Sequence, residues 1–522
     1  MPTDKVTLED IAQRAGVSTA AVSQALSGKG ALSQATRQRI LQVVEELAYQ
    51  PDRTAQNLAL RRASQAAGKR LGRARGLPPS GMMVFYDIPE LLEVVHLEIQ
   101  QRQEEGYEVR RCGEQLAAWK RPTKQQIYRL YAEVLAAPLR PDFAGHEPET
   151  LPEIQAARPA GPRAASLSLT PQALDERLYG AWLGRAVGCV LGKPLQAGWS
   201  KGQALQYLQL AGSYPLHNYI PRLLPPPPGF VFKTEAAGCF LGEIHGAPCD
   251  DDTDYTILAL HLLETYGLDF KTADVATEWL GHLSYFGVYT TERAVYRNLV
   301  WNVHPEETAA FVNPEREFIG ARTRADLYGY IAPGKPALAA SLAYRDAALS
   351  HTKNGVYSAM WMAAMLAWAF VSDDLEEVVR VGLSEIPANC RLALALQEAL
   401  SLYREGCDWE AAYDRLLLKY GAYSPIHAIN NTLWVALALL FSDGDFERAL
   451  SIAVACGMDT GSNAASAGSL LGLIYTSRRL PAQWIEPLHD TLSSAVAQFP
   501  ETRLSELARR TAKLAQNTLI FN

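Results

Sequence analysis

Three consecutive aspartates, Asp250, Asp251 and Asp252, are the residues whose type and spacing most directly suggest chemistry. They begin a segment whose apolar residues recur with helical spacing and which ends at Gly267. Adjacent carboxylates repel one another. That repulsion is tolerable on a solvated helix start, where the helix dipole favours anions, or around a hard cation that draws the carboxylates together. The spacing by itself leaves both interpretations open.

A second motif lies near the end of the chain, where residues 446–475 are typical of a helix, a sharp glycine turn and a second helix rich in Ala and Gly. Asp459 stands in the turn, followed by Thr460 and Ser462. By itself Asp459 is more typical of a helix cap than of a metal ligand. If the turn faces the three aspartates across a cleft, the oxygens of both motifs form the surroundings that Mg²⁺ or Ca²⁺ prefer.

The elements that would position these residues are mostly helical. From about Asp175 onwards, Ala- and Leu-rich segments of helical periodicity dominate and strand-like alternation is scarce, which predicts a large, nearly all-α domain. The stretch before it combines strand-like MMVFYDI with helical runs and predicts a small mixed segment, to which we assign no activity. The predicted organisation is a headpiece, a basic linker, an accessory segment that ends in a second linker, and the large domain, with boundaries 1–62, 63–81, 82–168 and 169–522.

Length, charge and cysteine content limit the classes of protein further. A chain of 522 residues predicts more than one domain. It has no apolar run of the roughly 20 residues that span a bilayer and no apolar N-terminal signal, so we expect a cytoplasmic protein without a membrane partner. The seven cysteines are scattered without a C-x-x-C pair, which argues against a disulfide framework and a zinc ribbon. The net charge is −7, but residues 1–75 alone carry +6, which suits a basic nucleic-acid module on an acidic body.

The basic N-terminal region has the pattern of a helix-turn-helix. Apolar residues predict three short helices between residues 7 and 49, and the turn Ala15-Gly16-Val17-Ser18 precedes the second of them. In such a unit the second helix lies in the major groove with its first residues facing the bases. The stretches TLEDIAQRAGVSTAAVSQAL, TRQRI and YQPDRTAQNLA resemble the headpiece of the LacI family throughout its length.

This resemblance implies a set of DNA contacts. It implies base reading by Thr19, Ala20 and Gln24, phosphate contacts from Ser18 and Ser23, and a hinge helix from Arg53 to Leu60 whose Leu58 enters the minor groove. Gln24 stands where many relatives carry Arg, and Gln suits adenine where Arg suits guanine. We therefore expect a homodimer on a double-stranded DNA operator with dyad symmetry. The alternative is a helix-turn-helix that contacts only proteins, which leaves the Leu58 wedge without a purpose.

The large domain departs from the sugar-binding α/β domain that usually follows such headpieces. The segments DERLYGAWLGRAVGCVLGKP, NPEREFIGARTRADLYGYIAPG and SHTKNGVYSAMWMAAMLAWAF, together with the two acidic motifs, resemble the ADP-ribosylglycohydrolase family over roughly residues 175–480. That resemblance implies an all-α domain with two Mg²⁺ ions in a cleft and hydrolysis of glycosidic bonds between ADP-ribose and an acceptor. Carried over, the metal ligands are Asp250, Asp251, Asp252, Asp459 and Ser462, and Asp251 and Asp252 have the catalytic role of positioning a metal-activated water.

The sequence departs from the family pattern at three positions. Asp250 replaces a hydroxyl residue, Gly461 replaces the second Asp of the late cluster, and Gln196 aligns with an acidic residue. We therefore expect one firmly held Mg²⁺ ion and a weakened second position.

Three further polar residues, Arg322, His351 and Asn354, lie in family-like motifs. With Gln196 they are predicted to line the cleft and to hold a phosphate or ribose of the ligand. The alternative for each is a buried polar side chain satisfied by the protein itself.

The sequence favours one function and leaves two others open. The favoured one is a DNA-binding transcriptional regulator whose ADP-ribosylglycohydrolase-like domain binds Mg²⁺ and an ADP-ribose-like or nucleoside-like effector, because Gly461 and Gln196 remove groups that catalysis would use. The first alternative is an active Mg²⁺-dependent glycoside hydrolase that also binds DNA, since several acidic positions survive. The second is a large domain that serves only for dimerisation.

Overall fold

The computed structural model describes residues 8–27, 33–47, 87–196 and 198–519, which belong to two compact units, residues 1–75 and residues 76–522. Helices dominate both units, and the described residues contain two small two-stranded sheets. The predicted mainly all-α class is therefore confirmed. Within the described residues, no helix combines the length and apolar character needed to cross a membrane.

The described residues of the first unit form three helices around a small apolar core: α1 (Leu8–Ala15), α2 (Thr19–Ser27) and α3 (Gln34–Glu46). Gly16 takes a φ of +61° in the turn between α1 and α2, a conformation that glycine adopts without steric penalty. The Ser18 hydroxyl accepts a hydrogen bond from the Ala21 amide at 3.2 Å. The predicted three-helix headpiece is thus present, whereas the predicted hinge helix, Arg53 to Leu60, lies outside the described residues.

The described part of the second unit begins with four helices that precede the large domain and continues with a long series of packed helices. The first four are α4 (Ile88–Glu104), α5 (Arg110–Ala118), α6 (Lys124–Leu135) and α7 (Leu151–Ala157). The next eight are α8 (Pro171–Gly192), α9 (Lys201–Leu210), α10 (Asp251–Tyr266), α11 (Thr272–His282), α12 (Thr290–Val300), α13 (Gly320–Thr323), α14 (Asp326–Tyr330) and α15 (Pro336–Ala347). The last nine are α16 (Lys353–Trp368), α17 (Leu375–Leu383), α18 (Arg391–Arg404), α19 (Trp409–Tyr420), α20 (Ala428–Leu440), α21 (Phe446–Ala455), α22 (Thr460–Tyr475), α23 (Ala482–Ile485) and α24 (Leu504–Gln516).

Two short antiparallel sheets tie distant parts of this unit together. Strand β1 (Trp199–Ser200) pairs with β2 (Gly457–Met458), so the segment after α8 is joined to the residues just before Asp459. Strand β3 (Thr491–Ser493) pairs with β4 (Glu501–Arg503) near the C-terminus. The first sheet brings the glycine turn of the late motif to the end of α8.

Helices α8 and α22 lie in direct backbone contact because small residues line their interface. A Cβ atom added to any of four glycines of α8, spaced four residues apart on one face, would overlap a backbone carbonyl oxygen of α22. The pairs are Gly180 with Gly472, Gly184 with Gly468, Gly188 with Ala464, and Gly192 with Thr460. The Thr460 hydroxyl also donates to the Gly192 carbonyl at 2.7 Å. This close approach places the C-terminal end of α8 beside the N-terminal end of α22.

The segment before the large domain is anchored to it by buried ion pairs. Arg316 reaches Glu98 of α4 at 3.0 Å and the adjoining Glu105 at 2.8 Å, and Lys353 also contacts Glu105 at 3.0 Å. Arg391 contacts Glu147 and Glu317, both at 2.8 Å. All of these side chains are at least about nine-tenths buried. Removing one partner of such a pair strands the other charge in the interior, so the segment and the domain depend on each other.

Glu104 lies next to this network, in surroundings that disfavour its ionised form. Burial raises its pKa to about 7, and the neighbouring carboxylates of Glu317 and Glu105 act in the same direction. Arg391 and a hydrogen bond from Gln100 oppose the shift. The His427 imidazole also faces it, with Nε2 at 3.7 Å from Glu104 Oε2, and burial lowers the His427 pKa to about 4.

We therefore expect Glu104→Gln to raise the free energy of unfolding, relative to that of the natural chain, more at pH 8 than at pH 5. The folded protein holds the Glu104 proton up to about pH 7, whereas the unfolded chain releases it near 4.5, so the contribution of Glu104 to stability falls as the pH rises through that window. The difference in unfolding free energy between variant and natural chain should grow by about 2 kcal/mol from pH 5 to pH 8. This figure takes about 1.36 kcal/mol per pKa unit and is reduced because Glu104 is partly exposed to solvent. Urea unfolding at both pH values measures this difference. Glu93→Gln, an exposed change on the same helix, should show no such difference.

Candidate functional site

The three aspartates stand at the start of α10, as the sequence predicts, but not in solvent. Asp250 is the N-cap residue, and its Oδ1 accepts a hydrogen bond from the Asp252 amide at 2.9 Å. Asp250 and Asp252 are only 5% and 2% exposed. The interpretation as a solvated helix start is therefore wrong, because these two carboxylates are withdrawn from the water that would screen their repulsion.

Asp459 and Ser462 meet these aspartates directly. Asp459 caps α22, and its Oδ1 lies 2.9 Å from the Ser462 hydroxyl. The same hydroxyl lies 3.1 Å from Asp252 Oδ2. The structure thus brings together the two motifs, which are about two hundred residues apart in the sequence. Their role as metal ligands stays a prediction.

The charges in this cluster are unbalanced. Burial raises the pKa of Asp252 to about 7, with further contributions from the negative charges of Asp250 and Asp459. Burial, followed by the charges of Asp250 and Asp252, raises the pKa of Asp251 well above its usual range, and burial also raises that of Asp459. Protons or a cation would relieve this repulsion.

Lys193 is a member of the site that the sequence analysis missed. Its ammonium group forms an ion pair with Asp250 Oδ2 from the short 3-10 turn that follows α8. Burial, the largest single influence, would lower the pKa of Lys193, but the charge of Asp250, the hydrogen bond to it and other nearby groups together raise that pKa. The sequence did contain a signal for Lys193, because Lys193 and Pro194 directly follow the last glycine of the face of α8 that packs against α22. Asp250 therefore already has a cationic partner.

Two buried arginines, Arg185 and Arg322, form hydrogen bonds with residues in and next to the acidic cluster. Arg185 donates to the Asp252 carbonyl from Nε at 2.9 Å and forms an ion pair with Asp326 at 2.8 Å. Arg322 donates to Ser466 at 2.6 Å and to Asn463 at 2.8 Å, both on α22. Burial lowers the Arg322 pKa to about 10, against the attraction of Asp252 and Asp459. The predicted residue Arg322 thus lies beside the acidic cluster, and its Nε has no hydrogen-bond partner within the described part of the chain.

The glycine turn itself is held by Asn431, a second residue that the sequence analysis did not select. Its Oδ1 accepts a hydrogen bond from the Asp459 amide at 3.3 Å and from the Asn463 side chain at 2.9 Å. Since Asn463 also accepts from Arg322, one chain of hydrogen bonds runs from α20 through the turn to α13. This chain holds the backbone of the turn at Asp459 in place.

Two of the three departures from the family pattern, Gly461 and Gln196, touch each other. A Cβ atom added to Gly461 would lie 2.6 Å from Gln196 Oε1, so the Gln196 side chain occupies the space in which a side chain at position 461 would begin. Gln196 Oε1 is buried without a hydrogen-bond partner among the described residues. A neutral amide therefore stands where the pattern would place negative charge from two residues.

His351 and Asn354 belong to other networks. The His351 imidazole pairs through Nδ1 with Ser350 at 2.7 Å, and burial lowers its pKa well below the usual range. The Asn354 side-chain nitrogen donates hydrogen bonds to Glu317 and Glu147, and the Asn354 side-chain oxygen accepts one from the Leu392 amide. The Asn354 hydrogen bonds match the alternative interpretation of a polar side chain satisfied by the protein itself, whereas His351 Nε2 is buried without a hydrogen-bond partner among the described residues. Among the described residues, no hydrogen bond or ion pair joins either residue to the aspartates, and their role in ligand binding stays a prediction.

The donor set of the cluster suits a hard cation. Asp250, Asp251, Asp252 and Asp459 offer carboxylate oxygens and Ser462 a hydroxyl, as Mg²⁺ prefers. The Cys189 sulfur lies within 4.8 Å of ligand atoms of Asp250 and Asp252. However, burial and the two carboxylates raise the Cys189 pKa well above its usual range, so the sulfur stays protonated and is a poor ligand. These residues fit one hard divalent cation.

In the headpiece, the described residues predicted to contact DNA lie at the start of α2. Ser18, Thr19 and Gln24 are exposed. Ala20 and Ser23 lie on the same helix, although their side chains are outside the description, and Leu58 is outside the described residues. Their DNA contacts stay predictions.

The fold and the acidic site together define a class of protein: an all-α domain built around buried carboxylates suited to a divalent cation. Residues 170–518 match the protein-family model described as "ADP-ribosylglycohydrolase". This match covers more than half of the chain, and the chain therefore belongs to that family. Residues 7–52 match the model described as "Bacterial regulatory proteins, lacI family", which shows a LacI-type DNA-binding region at the N-terminus.

Two curated regulators are similar to a short part of this chain. The HTH-type transcriptional regulator AscG of Escherichia coli (strain K12) is 51% identical over 53 residues, 10% of this chain and 16% of that protein. The HTH-type transcriptional regulator MalR of Staphylococcus xylosus is 41% identical over 59 residues, 11% of this chain and 18% of that protein. The chain thus spans less than a fifth of these curated relatives. A solved structure, "ADP-ribosylglycohydrolase-related protein complex", covers 66% of this chain and 99% of its own, with 22% identity and a TM-score of 0.42.

Proposed function

We propose that this protein is a transcriptional regulator that senses an ADP-ribose-like or nucleoside-like ligand through a Mg²⁺-dependent site in its large domain. The LacI-type headpiece binds a dyad-symmetric operator as part of a homodimer in the cytoplasm. One observation carries the proposal: Gln196 fills the space beside Gly461, which leaves a cation site flanked by a neutral amide.

The cation site supports binding of a charged ligand. Mg²⁺ would be held by Asp251, Asp252, Asp459 and Ser462, and it would supply the positive charge that attracts phosphate or ribose oxygens. Lys193 keeps Asp250 paired, and the Arg322 guanidinium lies beside Ser466 and Asn463, with its Nε unpartnered among the described residues. Mg²⁺, Lys193 and Arg322 would place three positive groups near the acidic cluster, which favours a ligand that carries phosphate.

Loss of catalysis is supported by the same residues. A general acid or base must exchange a proton in the reaction, and the amide of Gln196 cannot do so. Gly461 removes a carboxylate that would hold a second cation. A ligand that is bound but not cleaved is available to shift the regulator between two DNA-binding states, by no more than its differential affinity for them.

An active hydrolase is the second candidate, and one observation favours it. The pKa of Asp252 is raised to about 7, and that of Asp251 is also raised, so one of these carboxylates can exchange a proton near neutral pH. In this candidate Asp251 and Asp252 position the attacking water, and the protein both binds DNA and cleaves an ADP-ribosyl bond.

A hydrolysis assay separates the two candidates. We expect the natural chain to be stabilised thermally by ADP-ribose in excess Mg²⁺ and to leave ADP-ribosyl substrates uncleaved. The double variant Gln196→Glu with Gly461→Asp restores both carboxylates, and it should gain measurable turnover. Gln196→Ala, which removes the amide without adding charge, is the control and should remain inactive. Efficient turnover by the natural chain would reject the sensor and support the hydrolase.

A further inference from the structure

A second group of potential metal ligands lies away from the carboxylate cluster. His261 of α10 and Glu278 of α11 are joined through His261 Nδ1 and Glu278 Oε2 at 2.7 Å. His282, one turn further along α11, places its Nδ1 3.1 Å from the same Glu278 oxygen. His261 is ten residues beyond Asp251, which is about 15 Å along a helix. This His-Glu-His cluster is therefore separate from the proposed Mg²⁺ site.

The donor atoms have the spacing of a metal site. Potential ligand atoms of the three residues all lie within 4.8 Å of one another. Zinc–nitrogen and zinc–oxygen bonds of about 2.0–2.2 Å in a tetrahedron separate their ligand atoms by roughly 3.3 Å, so small side-chain movements suffice. Two imidazoles and one carboxylate are a donor set that suits Zn²⁺, whereas Mg²⁺ prefers oxygen donors and binds imidazole poorly.

The surroundings restrict access to the cluster. The side chains of His261, Glu278 and His282 are only 14%, 5% and 8% exposed. The Phe499 ring packs edge-on against His261, and the Ala497 amide donates to the His282 carbonyl at 2.9 Å. Both residues belong to the connection between β3 and β4, which thereby covers the cluster.

We propose that His261, Glu278 and His282 bind one Zn²⁺ ion that links α10, α11 and the β3–β4 connection. The ion replaces the hydrogen bonds that both imidazoles make to Glu278, and a water molecule completes its coordination. Because α10 begins with the three aspartates, the ion fixes the helix that supports the cation site of the proposed function. The zinc site itself does not depend on that function, since it requires only these three side chains.

The test measures zinc bound by the full-length chain. Protein treated with chelator is dialysed against limiting Zn²⁺ in excess Mg²⁺, and the bound metal is counted. Co²⁺ serves as a spectroscopic probe, because tetrahedral coordination gives strong visible absorption. The variants are His261→Gln with His282→Gln, Glu278→Gln, and the control His245→Gln with His489→Gln, which alters an exposed, stacked pair of histidines.

We expect the natural chain and the exposed control to bind one Zn²⁺ ion and to show the Co²⁺ spectrum. The His261/His282 double variant and Glu278→Gln should lose this ion and its thermal stabilisation while keeping the Mg²⁺-dependent shift. That retained shift shows that the variants fold, and it separates this proposal from the proposed function. Unchanged zinc content in these variants, or zinc lost only in Asp252→Asn, would overturn the assignment and leave simple histidine–glutamate hydrogen bonds.

Discussion

The Asp252→Asn protein is expected to be more stable than the natural chain without metal and to lose its response to Mg²⁺. Asp252 is buried between Asp250 and Asp459, and their charges add to burial in disfavouring its ionised form. A neutral amide removes this repulsion and still accepts the Ser462 hydroxyl hydrogen bond. It also removes a ligand, so the roughly 2–3 kcal/mol that a saturating ligand adds at a hundred times its Kd should disappear. Thermal melts in chelator and in excess Mg²⁺ measure both changes.

Asp254→Asn is the matched control for this result. Asp254 lies in the same turn of α10 and is equally buried, but its Oδ2 accepts from the Ala495 amide at 3.1 Å and from Cys249 instead of facing Asp459. The control should keep the Mg²⁺ response of the natural chain. A Mg²⁺ response that survives in Asp252→Asn would contradict the metal site, and a less stable metal-free variant would contradict the repulsion argument.

The headpiece and the acidic motifs could be predicted because their signals are local. Ser18 and Gly16 mark a turn through cap and backbone preferences that act within a few residues. Asp250 and Asp459 are likewise helix caps, a feature that spacing reveals. The prediction that these two caps lie close together rested on the resemblance to a family. No local preference indicates whether two helix caps distant in the sequence face each other.

Contacts that join distant segments were beyond the sequence. Lys193 could be noticed as a lysine after a glycine-lined helix, but its pairing with Asp250 depends on how closely α8 and α22 approach. The ion pairs of Arg316 with Glu98 and Glu105 similarly link residues more than two hundred positions apart. Each charge alone looks like an ordinary surface residue, and only the fold shows that burial makes the pairing obligatory.

The contact between Gln196 and Gly461 shows that two departures which look independent in the sequence are coupled in the structure. Read separately, each removes a carboxylate. In the structure, the longer side chain fills the space left by the missing one, so restoring Asp at position 461 requires the Gln196 side chain to move. The effects of the two restorations should therefore not be additive, because the two positions share one space.

Changing Gln24 to Arg is expected to change the base that the regulator reads. Gln24 is exposed on α2, the helix that a LacI-type headpiece places in the major groove. Glutamine pairs with adenine and arginine with guanine, and a good bidentate pair is worth about 1–3 kcal/mol of discrimination. Selection from random DNA by each protein should show adenine replaced by guanine at one position of each half-site, with a tenfold or greater preference.

The spacing of the half-sites tests the same assignment independently. It is set by the dimer and not by Gln24, so it should stay the same in the Gln24→Arg protein. Gln42→Ala, an exposed change on α3 beside Glu46, should alter neither the preferred bases nor the affinity. If Gln24→Arg leaves the preferred bases unchanged while weakening all DNA equally, Gln24 faces phosphate, and the readout must come from Thr19, Ala20 or the minor-groove contact of Leu58.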